Sequence, residues 1–477
     1  MKNNIINRCK IITAVMLISF GLACSSSWAT TNAEAYSDCL GYQKSFVILF
    51  GAGEQCVLGV NPYSTTGAYS YGYYTPWYGT FYSRTIDQYA GVVPDDLTKA
   101  GGASSLCGVE NVFVTDPINP LNGNEYFVEN DYEGGRGLVF RRFYNSVVGS
   151  WTYSYSRNLY IKSTRIDLIS DDGEKISFNL IGGSWVGPKG AGRLTATGSG
   201  WKIVSIGNES SYFNSLGQLT KVSKPYNEVS LSYSSWYSTV TITSSLGDSA
   251  TLATDNTNGY VALKSAVFPG VTFTYQTDTK AFFTGVTKTR GTSVLNKTYL
   301  YEKPGKPRLL TGVIDERGIR YATWDYDDQD RAVFSDTAGI GAVSIVYNND
   351  GSSVVTNELG KKVKYQAVSY DGVRRVSSVD GEPSPNCPAS NSSYTYSPEG
   401  QILTKTDALG VVTSYTYNDR GLEVSREEAS GTSLTRMVKT EWDPSLPLPT
   451  KITESEHTAI YTYDDKGRAL SRIVKGN

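Results

Sequence analysis

Aromatic residues recur at a nearly constant spacing along the C-terminal half of this 477-residue chain. Successive members lie 21 to 26 residues apart, except for one double step of 42 between Tyr233 and Tyr275. The series consists of Tyr212, Tyr233, Tyr275, Tyr301, Tyr326, Tyr347, Tyr370, Tyr396, Tyr417, Trp442 and Tyr463. A fixed period in this range indicates a repeat architecture, in which each unit is one supersecondary element. With a degenerate unit near Asp255 filling the double step, the spacing predicts twelve units.

A turn motif accompanies the aromatic series. The segments Asp315–Gly318, Asn357–Gly360 and Asp407–Gly410 have Asp or Asn at the first position and Gly at the fourth. This arrangement is typical of a type I turn whose side chain caps backbone N–H groups. Two turns per unit predict two strands per unit, and therefore a twisted antiparallel ribbon of hairpins. We expect the tyrosine rings to cover apolar surface while their hydroxyls reach water or a turn.

The composition supports an all-β fold and offers little for catalysis. The chain has 35 Tyr, 47 Gly and a single histidine, His457. The acidic run Asp325–Asp330 has the charge of a calcium loop but lacks the glycine that such a loop needs at its sixth position, so we interpret it as turn capping. We find no catalytic constellation, no cofactor motif and no metal-ligand spacing, and we predict a protein that is not an enzyme.

The N-terminus has the pattern of a signal peptide over residues 1–29. A basic start precedes the apolar run Ile11–Ala23, and Ser27-Trp28-Ala29 offers a cleavage site of small residues. Lipidation at Cys24 is the competing interpretation. Cleavage after Ala29 removes three basic residues and no acidic ones, which changes the net charge from -2 to -5. We therefore expect an exported chain that is secreted, periplasmic or at the cell surface, not transmembrane after cleavage, and not bound to nucleic acid.

Residues 30–110 form a head rich in Tyr and Gly. Its exposed aromatics, Tyr73, Tyr74, Trp77 and Tyr78, are candidates for contact with a glycan or a protein partner. The alternative is an irregular loop whose aromatics pack over the end of a sheet. Four cysteines follow the cleavage site, namely Cys39, Cys56, Cys107 and Cys387. Cys39 with Cys56 is the preferred disulfide because it closes a short loop, but three full pairings remain possible.

A small β domain over residues 111–210 precedes the repeats, which we place at 211–477. Its start, DPINPLNGNEYFVENDYEGG followed by GLVFRRFYNS, and the later units YNDRGLEVSR and YDDKGRALSR together resemble the YD-repeat (rearrangement-hotspot, Rhs) family. The resemblance covers about 111 to 477 and implies a curved wall of hairpins, as in a partial shell. Larger relatives continue into a variable toxin domain, which this chain does not resemble.

The resemblance implies an exported structural or interaction protein, similar to the N-terminal part of an Rhs surface or toxin-delivery protein. A carbohydrate-binding cell-surface protein is the alternative, and the expected partners are other protein chains or cell-surface glycans. Twelve two-stranded units give about 24 strands spaced about 4.8 Å apart, roughly one turn of wall. We therefore predict an open, curved sheet whose N-terminal end is covered by the head. Its last strand, around Arg468 to Val474, would be frayed or paired with another chain.

Overall fold

A computed structural model describes three short segments near the N-terminus, 55–60, 69–74 and 81–83, and most of the chain from residue 118 to 476. Within the second part, residues 235–237, 258–259, 279–281, 340, 371–372 and 382–390 are not described. The chain divides into two compact units, residues 1–93 with 256–261, and the remainder. Every regular element of the described residues is a β-strand, and the predicted all-β class is confirmed.

The three N-terminal segments pair as a small antiparallel sheet in the order of the sequence. Its strands are β1 (Gln55–Val60), β2 (Tyr69–Tyr74) and β3 (Phe81–Ser83). Cys56 lies on β1, directly opposite Tyr73 on β2. The signal peptide and Cys24, Cys39, Trp77 and Tyr78 lie outside the described residues, so the disulfide and the head contact surface stay predictions.

Two further small antiparallel sheets follow within residues 118–186. The first contains β4 (Tyr126–Glu133), β5 (Val139–Asn145) and β6 (Ser150–Tyr153). The second contains β7 (Asn158–Ile161), β8 (Arg165–Ile169), β9 (Lys175–Ile181) and β10 (Ser184–Val186). The sequence assigned residues 111–210 to a small β domain, but the large sheet already begins at Arg193. From here on, the small β domain means residues 118–186.

The rest of the chain forms one open antiparallel sheet of 26 strands in sequence order, which begins at Arg193. Its first half comprises β11 (Arg193–Thr197), β12 (Gly200–Val204), β13 (Ser210–Asn214), β14 (Leu219–Lys224), β15 (Asn227–Tyr233), β16 (Thr239–Ser244), β17 (Ser249–Thr257), β18 (Tyr260–Phe268), β19 (Val271–Thr277), β20 (Phe283–Arg290), β21 (Ser293–Leu300), β22 (Gly312–Ile314) and β23 (Arg320–Tyr326). Its second half comprises β24 (Ala332–Thr337), β25 (Gly341–Tyr347), β26 (Ser353–Asn357), β27 (Lys362–Tyr370), β28 (Val373–Gly381), β29 (Ser392–Tyr396), β30 (Ile402–Thr406), β31 (Val412–Tyr417), β32 (Glu423–Glu428), β33 (Arg436–Trp442), β34 (Pro449–Thr453), β35 (His457–Tyr463) and β36 (Ala469–Gly476). Apart from the double step between Tyr233 and Tyr275, successive aromatics of the series recur at every second strand, as the turn motif predicts.

The capped turn has the geometry that the motif predicts. The Gly318 N–H donates to the Asp315 carbonyl at 2.9 Å, and Asp315 Oδ1 accepts from the N–H groups of Arg317 and Ile319 at 2.9 and 3.1 Å. Gly318 has φ of +78°, a conformation that costs a residue with a Cβ about 1–2 kcal/mol. The same pair of side-chain bonds occurs at Asn357, Asp407, Asn418 and Asp464.

The acidic run Asp325–Asp330 is a variant of this turn. Asp327 Oδ1 accepts from the N–H groups of Gln329 and Arg331 at 2.9 and 3.0 Å. Asp330 occupies the fourth position with φ of +64°, where the other turns have Gly. The interpretation of this run as turn capping is confirmed.

In seven units the aromatic side chain of the series donates to a backbone carbonyl of the unit before it, instead of reaching water or a turn. Tyr347 donates to the carbonyl of Ala332 at 2.7 Å, and Ala332 is the residue that pairs with Tyr326 at a β-bulge. A bulge interrupts the ladder locally, so a hydroxyl from the next unit supplies a partner for backbone at that point. The aromatic-to-carbonyl bonds of this kind are Tyr233 to Leu219, Tyr301 to Phe283, Tyr326 to Leu310, Tyr347 to Ala332, Tyr396 to Val376, Trp442 to Glu423 and Tyr463 to Pro449.

The main core lies between the small β domain and one face of the large sheet, which we call the inner face. Phe127 packs against Trp324 with ring centroids 5.2 Å apart, and Tyr132 stacks on Phe268 at 4.3 Å. The small β domain therefore covers the inner face of the sheet around β18–β23. The prediction that the head covers the N-terminal end is not tested by the described residues.

The segment between β10 and β11 contacts the turn between β31 and β32. Lys189 Nζ donates to the carbonyl of Asp419 at 2.8 Å, a contact that spans 230 residues. Gly421 approaches Gly190 so closely that a Cβ at Gly421 would lie 2.8 Å from the Gly190 nitrogen. The sheet nevertheless stays open, because β11 and β36 stand at opposite ends of its strand order.

We predict that Tyr347→Phe lowers the free energy of unfolding by about 1 kcal/mol, the usual contribution of one buried hydrogen bond. Phe keeps the ring, including its contact with the Arg331 guanidinium. Urea unfolding followed by tryptophan fluorescence measures the change. Tyr212→Phe is the matched control, because its hydroxyl forms none of the bonds between units, and an equal loss in both variants would contradict the prediction.

Candidate functional site

Arg142 is a charged residue at the centre of the small β domain and, like Glu125, is 0% exposed. It lies on β5, where Phe140, Arg142 and Tyr144 alternate toward the core and are all 0% exposed. Its guanidinium forms two hydrogen bonds with the Asp131 carboxylate, from Nε at 2.7 Å and from Nη2 at 2.9 Å. A bidentate pair of this kind fixes orientation as well as charge.

Two tyrosines of the large sheet complete this cluster. Tyr275 on β19 donates to Asp131 Oδ2 at 2.8 Å, and Arg142 Nη2 donates to the Tyr299 hydroxyl on β21 at 2.7 Å. The cluster therefore joins residues that are 144 and 157 positions apart in sequence. We call Asp131, Arg142, Tyr275 and Tyr299 the buried charge cluster.

Aromatic rings enclose the guanidinium of Arg142. Its central carbon lies 5.0 to 5.3 Å from four ring centroids, those of Trp151, Tyr275, Phe283 and Tyr299. Arg142 Nη1 has no hydrogen-bond partner within the described residues, so these ring faces are the groups that stabilise that side of the cation.

The environment shifts the pKa values of Arg142, Tyr275 and Tyr299. Burial by itself would lower the pKa of Arg142, but the Asp131 carboxylate, Tyr299 and Tyr275 raise that pKa above its usual range. Burial raises the pKa of both tyrosines, which keeps their hydroxyls protonated. The cluster thus combines a charged guanidinium with two neutral phenols, an arrangement suited to holding two elements together.

Further contacts around the buried charge cluster also join the small β domain to the large sheet. Lys297 Nζ lies 2.8 Å from Glu129 Oε2, and Trp151 Nε1 donates to the Tyr301 hydroxyl at 2.8 Å. Tyr144 donates to the carbonyl of Arg308 at 2.8 Å. Each of these contacts joins the small β domain to the large sheet.

The inner face changes character along the later repeats. Strand register places Tyr415, Arg426 and Val438 in one row of that face. Beside them runs a series of ion pairs, formed by Glu423, Arg426, Glu428, Arg436, Glu454 and His457. Arg426 and Glu428 remain 34% and 33% exposed in their side chains, compared with 0% for Arg142.

Nothing from the small β domain covers this later surface among the described residues. The hydrophobic cluster here consists only of residues from the repeats, centred on Tyr396 and Ile402. We call the inner side chains of β29–β36 the open inner face. It is a mixed surface of tyrosines and paired charges.

The open inner face shows no arrangement typical of an active site. Burial raises the pKa of Glu423, while hydrogen bonding to Arg436 lowers the pKa of Glu454. His457 Nε2 lies 3.7 Å from Glu454 Oε2, at a surface position. Within the described part of the chain, no three His, Cys, Asp or Glu side chains gather in a metal-binding arrangement. No helix in that part has the length and hydropathy to cross a bilayer.

Sequence reasoning missed the buried charge cluster, although a signal was present. In β5 the inward positions read Phe140, Arg142, Tyr144, so a cation interrupts an otherwise aromatic face. Asp131 on the neighbouring strand supplies the opposite charge. The two tyrosine partners could not have been found in this way, because they lie in distant repeats.

Comparisons with known proteins identify two segments of the chain. Residues 115–178 match a family described as a domain of unknown function, DUF6531, and residues 396–433 match the family described as RHS Repeat. No curated protein matches the chain significantly.

Solved structures give distant likenesses. One is a Tc holotoxin pore of Photorhabdus luminescens with the mutation TccC3-D651A, at 11% identity and a TM-score of 0.34 over 74% of this chain. Another is a complex described as TcdB2-TccC3, at 11% identity and a TM-score of 0.26 over 89% of this chain. The present chain spans 21% and 27% of the length of those two chains.

We predict that Arg142→Met lowers the free energy of unfolding by about 3–5 kcal/mol, because it leaves the Asp131 carboxylate buried without its counter-charge. Combining Arg142→Met with Asp131→Leu should restore part of that loss, since no uncompensated charge then remains. Urea unfolding of the two single variants and the double variant gives the coupling energy.

Arg165→Met is the matched control, because Arg165 pairs with Asp167 at 2.6 Å with 39% of its side chain exposed. Its loss should stay within about 1 kcal/mol, as for other surface pairs. Equal losses at Arg142 and Arg165, or a double variant weaker than both single ones, would contradict the role given to the cluster.

Proposed function

We propose that this chain, a YD-repeat (Rhs) protein whose repeats follow a small β domain, is an exported scaffold that holds another polypeptide against its open inner face. It performs no chemistry itself. The small β domain fixes the wall of hairpins from inside, and the later repeats present a surface to the partner.

The contrast between two parts of the inner face carries this proposal. Around β18–β23 the face is apolar and packed beneath the small β domain, with Trp324 and Tyr299 2% and 3% exposed. Along β31–β35 the same face carries half-exposed tyrosines and ion pairs. Tyrosine rings of this face can stack against a bound polypeptide, and its charged side chains can pair with charges of that polypeptide. Protein interfaces have the same composition, with aromatic residues enriched in the core and polar residues at the rim.

The N-terminal sequence supports export. Residues 1–29 have a basic start, a short apolar run and small residues before the cleavage point. The acidic balance after cleavage is also compatible with a chain that avoids nucleic acid. The resemblance of this chain to Rhs surface and toxin-delivery proteins favours the same location.

We expect a photo-crosslinking residue at Tyr415 to form adducts with a defined polypeptide in cells that produce the full chain. The same residue at Thr416 is the matched control, because successive strand residues point to opposite faces and Thr416 is exposed on the outer one. Gel mobility and mass spectrometry identify the adduct. Adducts of equal yield at both positions, or none at Tyr415, would refute the scaffold proposal.

Mass spectrometry of the mature protein should show an N-terminus at Thr30. Ala29→Phe should block that cleavage, because the processing site needs a small residue, whereas Ala35→Phe should leave it unchanged. If the mature chain instead begins at a lipidated Cys24, the protein is processed as a lipoprotein and the predicted cleavage after Ala29 is wrong. A chain retained whole in the cytoplasm would refute export.

A further inference from the structure

Arg375 on β28 is a buried arginine without a counter-charge. The residue is 6% exposed, and its Nε and Nη1 atoms are shielded from solvent without a hydrogen-bond partner. Neither an ion pair nor an aromatic ring face meets its guanidinium among the residues that the structure describes. A buried charge without a partner is costly to desolvate, so Arg375 lowers the stability of the free chain. A buried polar group of this kind calls for a functional explanation.

Arginines at the equivalent position of two other units have a carboxylate partner from their own turn. Arg331 Nε donates to Asp327 Oδ2 at 2.8 Å, and Arg468 Nε donates to Asp464 Oδ2 at 2.6 Å. Each of them lies five residues after the aromatic of its unit, as Arg375 does. The repeat therefore has a standard way to neutralise an arginine at this position, and Arg375 departs from it.

The geometry of the hairpin β27–β28 explains this difference. In four of the other units the aromatic pairs with the sixth residue after it, as Tyr326 does with Ala332. In β27–β28, Tyr370 instead pairs with Val373, so only two residues connect the strands. The capped turn, which runs from Asp or Asn to a Gly at the fourth position, has no room there. Arg375 consequently lies within a strand and does not directly follow a capped turn.

Arg375 borders the open inner face. It stands directly opposite Val368 on β27, and Val368 packs against the cluster of Tyr396 and Ile402. Arg375 also contacts Gly400 in the turn between β29 and β30, where a Cβ would lie 2.6 Å from Arg375 Nε. Because Nε and Nη1 are the shielded nitrogens, Nη2 is the one that an acceptor can reach first.

The acidic residue of that neighbouring turn does not neutralise Arg375. Hydrogen bonding from the Ser397 hydroxyl lowers the pKa of Glu399, and Lys189 adds to the same effect. One positive charge therefore remains for a ligand. A single carboxylate matches it and can accept two parallel hydrogen bonds from a guanidinium. A phosphate group carries about −1.5 to −2 at pH 7, so part of its charge would stay unpaired beside Arg375.

We propose that Arg375 binds an acidic side chain of the polypeptide that the scaffold holds. This inference rests on the proposed scaffold function and specifies the chemistry of its partner. The partner segment places an Asp or Glu on Arg375, while its neighbouring residues stack on the tyrosines of the open inner face. Arg375 then selects against neutral segments, because they would leave the buried charge unpaired.

Urea unfolding of the full chain tests the unpaired charge without any partner. Arg375→Met should raise the urea midpoint, because it removes an uncompensated buried charge, whereas Arg142→Met should lower it. Arg374→Met is the matched control and should not raise the midpoint, because Arg374 Nη2 already donates to the carbonyl of Gly351 at 2.6 Å.

The same measurement shows whether the charge has a partner within the chain. Asp371 lies four residues before Arg375, outside the described residues. A midpoint that falls in Arg375→Met would overturn the inference. So would a loss from Asp371→Asn that disappears in the Arg375→Met background, because it would reveal an ion pair between these two residues.

The crosslinking residue at Tyr415 reports on the partner itself. Arg375→Met should lower the adduct yield about tenfold or more, because the loss of a hydrogen bond to a charged group weakens binding by at least that factor. Arg374→Met should stay within about twofold of the unaltered chain, as for other surface charges. No adduct with the unaltered chain would refute the scaffold function itself. Adducts of equal yield with and without Arg375 would overturn only the present inference.

Mass spectrometry of the crosslinked peptide identifies the partner segment. It should contain an Asp or Glu whose replacement by Asn or Gln lowers the adduct yield as Arg375→Met does. Combining the two changes should give no further loss, because each removes the same ion pair. A partner segment without an acidic residue, or two losses that add, would overturn the inference.

Discussion

The buried pair of Arg142 and Asp131 is the interaction on which the rest of the structure depends. It lies inside the small β domain, yet its remaining hydrogen bonds go to Tyr275 and Tyr299 of the large sheet. A buried ion pair is costly to desolvate, so it is stable only when every partner is in place. The sheet must therefore fold around the small β domain with those two strands in register. The aromatic rings around the guanidinium also require the small β domain and the large sheet to be in place together, because Trp151 comes from the first and Phe283 from the second.

A second constraint works along the ribbon. The tyrosine of one unit donates to a carbonyl at the bulge of the unit before it, as Tyr347 does to Ala332. Where this bond forms, one unit completes the hydrogen bonding of its neighbour, and stability is shared between adjacent units. The capped turns at positions such as Asp315 and Asp464 fix the hairpin ends. Together these rules let the sheet extend through 26 strands without any helix in the described residues.

The two faces of the sheet then acquire different roles. Among the described residues, the inner face is a core beneath the small β domain around β18–β23, whereas along β31–β35 its tyrosines and paired charges are partly exposed. On the outer face, Lys202 and Lys221 flank the ring of Tyr212 on neighbouring strands. Antiparallel strands place alternate residues on opposite faces, so one sheet can present two surfaces of different composition.

The sequence by itself determined the elements that depend on local chemistry. The spacing of the aromatics gave the two-stranded unit, and Asp or Asn followed three residues later by Gly gave the turns, because both are set within a few residues of backbone. The sequence also indicated an open sheet with a small β domain before it. Only the tertiary structure decided what that domain covers, where the tyrosine hydroxyls go, and which side chains surround Arg142. Tyr275 and Tyr299 lie more than 140 residues from their partners. No local pattern records such contacts, because they arise only when the ribbon curves around the small β domain.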